Sequence, residues 1–471
     1  VQETTQVRDG ESSFRDRLGI VSSEGKRRWI YPRKPEGRYY RARTFLSLLL
    51  LAILFGVPFI RVAGHPFMLF DITERKFIMF GLIFGPHDFF LPALAMISTI
   101  VFVILFTVIF GRLFCGWVCP QTVFMEMVFR KIDYWIEGGP REQQRLNESP
   151  WNGEKLRKKG LKHAIYFAFA FLVANMLLAW IIGTDKLIAI ITDPPSSHLG
   201  GLSAILIFSV GFHWLFGWFR EMACILVCPY GRLQGVLLDR NSIVIAYDNV
   251  RGEPRGRLKK NEPRTAGDCI DCNQCVEVCP TGIDIRNGTQ LECVNCTACI
   301  DACDHIMDSI DKPRGLIRYD SIEGIEKKTR AIITPRSIGY TLVLLVLVSL
   351  LTYFISNRSD VDVTILRTPG MFFQEQPDDH VSNLYDVKAV NKTFETIPVS
   401  FRLKNIEGHI SVLGDPLLLG GQQSAQARLF VLVPKKNITA MNTPVDIDVY
   451  HGDRLSTTIR TSFLGPVTKG K

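Results

Sequence analysis

Eight of the twelve cysteines fall in two near-identical runs, Cys269-x2-Cys272-x2-Cys275-x3-Cys279 and Cys293-x2-Cys296-x2-Cys299-x3-Cys303. This is the spacing of two-cluster bacterial ferredoxins, where three close thiolates wrap one cubane and the fourth ligand comes from the partner run. The two halves must therefore fold together. The pattern assigns Cys269, Cys272, Cys275 and Cys303 to one [4Fe–4S] cluster, and Cys293, Cys296, Cys299 and Cys279 to the other. Such clusters move single electrons. Two zinc knuckles are the bland alternative, but zinc ordinarily takes two pairs across a longer spacer. The second run ends Cys303-Asp304 where the first ends Cys279-Pro280, which departs from the ferredoxin pattern without removing a ligand.

The apolar residues, 47% of 471, are concentrated in five blocks near 45–63, 89–110, 164–183, 199–219 and 338–355. A bilayer-spanning helix needs about 20 such residues, so the chain is expected to be a multi-pass membrane protein and the lipid bilayer its first partner. More than 40 mostly polar residues precede the first block, so it does not read as a cleavable signal peptide. Lysine and arginine crowd segments 1–43 and 112–160, while 64–88 carries only Arg75 and Lys76 and 184–198 only Lys186. The positive-inside rule then places the N-terminus, 112–160 and 220–337 in the cytoplasm and the C-terminal part outside, in the periplasm of a Gram-negative cell. The net charge of +9 reflects topology and anionic lipid rather than nucleic acid.

The remaining cysteines form Cys115-x3-Cys119-Pro120 and Cys224-x3-Cys228-Pro229, each shortly after an apolar block and an arginine, Arg112 and Arg220. Residues 45–120 and 164–229 read as an internal duplication, and duplicated membrane proteins often place their site between the repeats. Thiols at i and i+4 share a helix face, and the following proline breaks or restarts the helix. Paired thiolates suit Cu(I), zinc or an iron–sulfur centre, or cycle between dithiol and disulfide; the bland alternative is small buried hydrophobes. Met125, Met127, Met222, His65, His87 and His213 are weaker candidates, ordinarily packing or hydrogen-bonded structure.

The expected fold is a multi-domain membrane protein. A basic segment (1–44) leads into an α-helical transmembrane bundle of about five helices with an internal repeat, four of them in 45–229. A cytoplasmic two-cluster, ferredoxin-like α+β insert follows (230–337), with short strands expected around Ile283–Ile285 and a linker at 250–264. The fifth helix (338–356) precedes an immunoglobulin-like β-sandwich (357–471), because 397–403, 428–433, 445–450 and 457–463 alternate with period two between turn-forming clusters.

The stretches Phe110–Phe124, Cys224–Gln234, Cys279–Arg286 and Gly315–Ser321, with Cys303-Asp304, resemble the FixG/RdxA/CcoG family of cytochrome c oxidase accessory proteins across nearly the whole chain. The resemblance implies two [4Fe–4S] clusters and reduction of Cu(II) to Cu(I) for assembly of a cbb3-type oxidase. Cys115, Cys119, Cys224 and Cys228 are then the copper-handling and catalytic thiols. Expected partners are the copper ion, a cytoplasmic electron donor, and oxidase subunits or copper chaperones. The rival functions are electron exchange with quinone or a partner protein, and a non-enzymatic assembly scaffold.

Overall fold

The computed structural model describes residues 26–72, 76–85, 88–258, 266–328, 333–377, 379–414, 417–438 and 440–466. Arg8, Arg15, Arg17, Arg75, His87 and part of the 250–264 linker lie outside the described residues.

Five helices are long and apolar enough to cross a membrane. They are α1 (Arg38–Gly56), α2 (Phe90–Phe110), α3 (Gly153–Ile182), α4 (Leu199–Trp214, within a helical stretch from Pro195 to Phe219) and α5 (Pro335–Ser356). Leu48, Ile100, Ile207 and Val346 on these helices are exposed, and an apolar helix that buries little against protein needs lipid around it. Two helices begin earlier than hydropathy suggests. α3 starts at Gly153 because Asn152 accepts from the Lys155 amide at 2.8 Å, and its Lys- and Glu-rich first turns are good helix formers. α1 starts at Arg38 because the amides of Tyr39 and Tyr40 donate to the Asp301 carboxylate at 3.1 and 2.8 Å. A remote carboxylate thus caps amides that a helix start leaves without partners. Gly37 permits this: a β-carbon there would lie 2.3 Å from the Asp301 side chain.

The described residues form two compact units, one within 26–60 and 96–348 and the other within 61–95 and 349–466. In the first, an antiparallel pair, Val244–Tyr247 with Ile317–Asp320, backs the cluster region. The expected strand at Ile283–Ile285 is not formed. Asp284 accepts from the Arg286 amide at 3.0 Å and caps a 3-10 turn, Ile285–Asn287. Ile283 and Ile285 are both buried, as alternation would have them, but they line a cluster cavity without pairing to another strand.

In the second unit two sheets face each other over one apolar core. One has the spatial order His409–Leu413, Ser424–Pro434, His380–Asn391, Val361–Arg367, and Gln374–Gln376 also pairs with His380–Asn391. The other runs Leu417–Leu419, Ile397–Leu403, Asn442–His451, Arg454–Leu464. The Tyr385 hydroxyl crosses the core to the Ser462 carbonyl at 2.9 Å. The segment between α1 and α2 belongs to this unit and carries a three-stranded sheet, Met68–Asp71, Lys76–Met79 and Leu82–Phe84. Buried Asp88 accepts from Arg358 and from Lys392, each at 2.7 Å, and His65 stacks on Phe394.

Candidate functional site

Both cysteine runs fold the same way. Asp271 and Asn273 in the first, and Asn295 and Thr297 in the second, take the left-handed conformation at φ between 53° and 65°. Left-handed backbone is rare for non-glycine residues, above all a β-branched threonine, and concentrates at functional sites. The two loops enclose two cavities. One is walled by Cys269, Cys272, Cys275 and Cys303 with Tyr247 and Met307. The other is walled by Cys279, Cys293, Cys296 and Cys299 with Ile245 and Ile285, and touches Cys275 as well. Each cavity thus gathers three thiols from one run and one from the other. These are the residues that would hold the two cubanes, and the apolar walls supply the dry shell that tunes such centres. Burial pushes the Cys275 and Cys293 thiols up to about 12, so cluster assembly must expel their protons.

The membrane-edge thiols are brought together across more than a hundred residues of chain. Cys115 lies in a short helix, Leu113–Trp117, and Cys224 in a π-helical turn, Ala223–Val227. Cys119 and Cys228 are not on those turns. Each is the N-cap of the next helix, with ψ of 124° and 113°, and Pro120 or Pro229 follows at the first helical position. A residue before proline is driven out of the α region, which corrects the expectation that each pair shares one helical face. Burial pushes Cys115 up to about 11, opposed by a hydrogen bond from Gln234, and raises Cys224 to about 12, with the charges of Cys119, Cys115 and Cys228 adding to the rise. The four thiols are therefore electrostatic neighbours. Among the described residues, however, no three Cys, His, Asp or Glu side chains close tightly on one point.

The first motif is fastened to the second cluster cavity. A β-carbon on Gly116 would lie 2.3 Å from the Asn295 carbonyl oxygen and 2.6 Å from that of Val294, so only glycine allows this approach. Arg43, buried, bridges the contact by donating to Gly116 O at 3.0 Å and Cys296 O at 2.7 Å. The Trp117 indole donates to the Tyr319 hydroxyl at 2.9 Å, which reaches Asn295 O at 3.3 Å. Arg112 donates to Leu291 O and, at 3.4 Å, to Cys293 O, and also to Gly231 O behind the second motif. Gln234, fully buried, donates to Cys115 Sγ at 3.3 Å, and its carbonyl oxygen has no partner. Sequence reasoning missed Arg43, Asp301 and Gln234. Gly37 and Gly116, glycines beside charged and thiol-bearing turns, are the signals that point to such close backbone approach.

Arg220 does different work. It donates to Asp133 at 2.6 Å and to the Tyr166 hydroxyl at 2.8 Å. Burial alone would raise the Asp133 carboxyl, but Arg220 and Lys162 hold it well below the usual carboxylate range. Lys162 and Lys159 pair with Glu137, Arg130 with Glu126, and Arg27 with Glu221. Of the nine basic residues in 112–160, Arg130 and Lys159 thus belong to a buried ion network rather than to a lipid-facing surface. Of the weaker candidates, Met125 packs in the core with Phe124, Phe129 and Phe216, Met127 is buried and accepts from the Thr44 hydroxyl at 4.0 Å, and His213 Nε2 meets His163 Nδ1 at 3.1 Å.

Three family models match: a 4Fe-4S dicluster domain over residues 219–322, a 4Fe-4S binding domain over 92–138, and the IG-like fold at the C-terminal of FixG over 351–466. Protein RdxB of Cereibacter sphaeroides is 31% identical over 91% of this chain and 94% of its own length. Protein RdxA of the same organism is 33% identical over 78% of this chain and 80% of its own length. Nitrogen fixation protein FixG of Rhizobium meliloti is 35% identical over 63% of this chain and 58% of its own length. The dicluster match covers all eight cysteines that wall the two cavities, and the chain is an iron–sulfur electron-transfer membrane protein belonging to the FixG/RdxA/RdxB family.

Proposed function

We propose that this protein reduces Cu(II) to Cu(I) at the thiols Cys115, Cys119, Cys224 and Cys228, serving assembly of a cbb3-type cytochrome oxidase. The contact of Gly116 with Val294 and Asn295 carries the reading, because it seats one thiol pair directly on a cluster-binding loop. The clusters, when bound, supply single electrons, and the step Cu(II) + e⁻ → Cu(I) consumes one. The chain's own part is to present soft sulfur ligands, which favour Cu(I) over Cu(II). Two thiolates suffice for a Cu(I) ion, so the open arrangement of the four suits a site that takes and releases copper. Gln234 orients Cys115, and Arg112 and Arg43 hold the motif against the cluster loop.

The sidedness proposed is cytoplasmic for the N-terminus and cluster domain and periplasmic for the sandwich, in the bacterial inner membrane. Two observations support it. The segment before α1 and that between α2 and α3 pack together and on the cluster domain, as in Tyr134 donating to Pro32 O and the Arg33 amide to Glu277 O. The α1–α2 segment belongs to the same unit as the sandwich. Alternation of sides over five spans requires both groupings. That both motifs place the second cysteine as an N-cap before proline supports a duplication of 45–120 and 164–229.

The test is anaerobic mixing of reduced full-length protein with Cu(II). Return of the oxidised cluster absorption is expected, and a quadruple Cys→Ser variant at 115, 119, 224 and 228 should keep its iron but lose copper binding. Unchanged copper stoichiometry in that variant defeats the site. A second reading, electron exchange with quinone, is favoured by the His163–His213 pair between α3 and α4, a route for the protons that a quinone takes up when the clusters reduce it. Reoxidation by a quinone analogue but not by copper would select it.

A further inference from the structure

A cavity of about 830 Å³ opens on the cluster domain, away from the membrane-edge thiols, and nothing in the copper reading uses it. Its lining includes Tyr247, Pro254, Arg255, Arg286, Thr289 and Ile322. Two of these, Tyr247 and Arg286, also wall the cavity formed by Cys269, Cys272, Cys275 and Cys303. They are therefore a partition with the open cavity on one side and the first cluster's thiols on the other. Tyr247 is built into this place. Its hydroxyl donates to Glu253 at 3.2 Å. Arg286 is locked by Asp284, Asp271 and Asn273 at 2.6 to 2.8 Å. A rigid wall one side chain thick beside a cluster site is where electrons would enter.

We propose that this cavity binds a reduced flavin as the electron donor. The proposal rests on the iron–sulfur assignment and is independent of copper. The volume lies within the roughly 300–1,000 Å³ of small-molecule sites, and the lining mixes apolar faces with a few polar groups, as such sites do. A flavin ring system has both characters: a flat apolar face for Pro254 and Ile322, and a hydrogen-bonding edge for Thr289. Arg255, exposed and only loosely paired with Glu253 at 3.7 Å, suits a phosphate. The electron count selects flavin over nicotinamide. A cubane accepts one electron at a time, whereas a nicotinamide gives a hydride. A flavin hydroquinone gives up two electrons singly, with two protons. Two electrons match one for each of two cubanes, and the protons pass to Glu253 and bulk water.

The experiment uses the full-length, cluster-loaded protein in detergent, with FMN and riboflavin as probes and bound flavin measured by equilibrium dialysis. Saturable binding is expected, with FMN tighter than riboflavin. Thr289→Trp, at an exposed position, should fill the cavity and weaken FMN by at least about tenfold while iron content stays the same. Uptake equal to that of empty micelles, or unaffected by T289W, overturns the site. Should T289W lose iron, Arg255→Ala decides instead: weaker FMN binding upholds the proposal and equal binding overturns it. Flavin binding that survives in protein unable to reduce copper would fault the copper reading alone.

Discussion

The two CxxxCP motifs have nearly the same sequence and opposite surroundings. In the first, the residue after the leading cysteine is Gly116, and its backbone lies on the loop carrying Cys293 and Cys296. In the second the matching residue is Ile225, on a π-helical turn. The arginines before the motifs diverge likewise. Arg112 ties its motif to carbonyls of the cluster loop, whereas Arg220 is consumed by Asp133 and Tyr166 in a buried ion network. One motif is wired to the redox domain, and the arginine before the other anchors the helices. Two motifs can thus share a cysteine pattern and differ in their supports.

The widest separation should come from the arginines. Arg220→Ala leaves a buried carboxylate short of its closest cation, and breaking a buried pair costs about 3–5 kcal/mol. Thermal unfolding of the detergent-solubilised protein should show a large drop with iron content per folded molecule unchanged. Arg112→Ala should instead release iron from the second cluster site with a smaller loss of stability. Equal effects on both readouts would mean that the two arginines do the same work.

Next comes the glycine. Gly116→Ala puts a methyl group 2.3 Å from a backbone oxygen that cannot swing aside. Overpacking of this kind costs about 1–3 kcal/mol, and it should fall on the contact with the cluster loop. Iron loss and slower copper-dependent reoxidation are expected together. The matched change Ile225→Ala should leave reoxidation intact, and slowing in that variant as well would mean that both motifs are wired.

A pH series sharpens the thiol side. Burial raises Cys115 to about 11 and Cys224 to about 12, so near neutral pH both are protonated and a metal must displace the protons. Apparent Cu(I) affinity should then fall about tenfold for each pH unit lowered, per proton displaced. A flat profile between pH 6 and 8, measured by competition with a Cu(I) chelator, would show that neither thiol is a ligand.

The legibility of these parts follows from how locally each is written. The cluster loops were readable because three of four sulfurs sit within one turn-forming run, and the fourth had to come from its twin. The sandwich strands were readable because alternation is a local pattern; 397–403, for example, coincides with Ile397–Leu403. The failures concern partners far apart in sequence. Asp133 and Arg220 are 87 residues apart, and nothing local says that Arg130, Lys159 and Lys162 turn inward rather than toward lipid headgroups. The start of α1 depended on Asp301, from a domain some 260 residues on. Ile283-Asp-Ile285 has a strand's alternation, but Asp284 spends its side chain on the next turn and both isoleucines line a cavity.

The finest test is Gln234, which the second motif's helix lends to the first motif's thiol. Its amide donates to Cys115 Sγ, a bond that holds this thiol lower than burial alone would. Its carbonyl oxygen is buried without a partner, so the residue is a net cost unless it serves the site. Gln234→Leu keeps the volume, removes a hydrogen bond worth about 1 kcal/mol, and relieves that orphaned oxygen. Stability should therefore barely move. Alkylation of Cys115 in iron-free protein at alkaline pH should slow, since its thiolate becomes scarcer, while Cys228 should react as before. If Cys115 is unaffected, the crossing from one motif to the other carries no chemistry, and the two motifs act as separate thiol pairs.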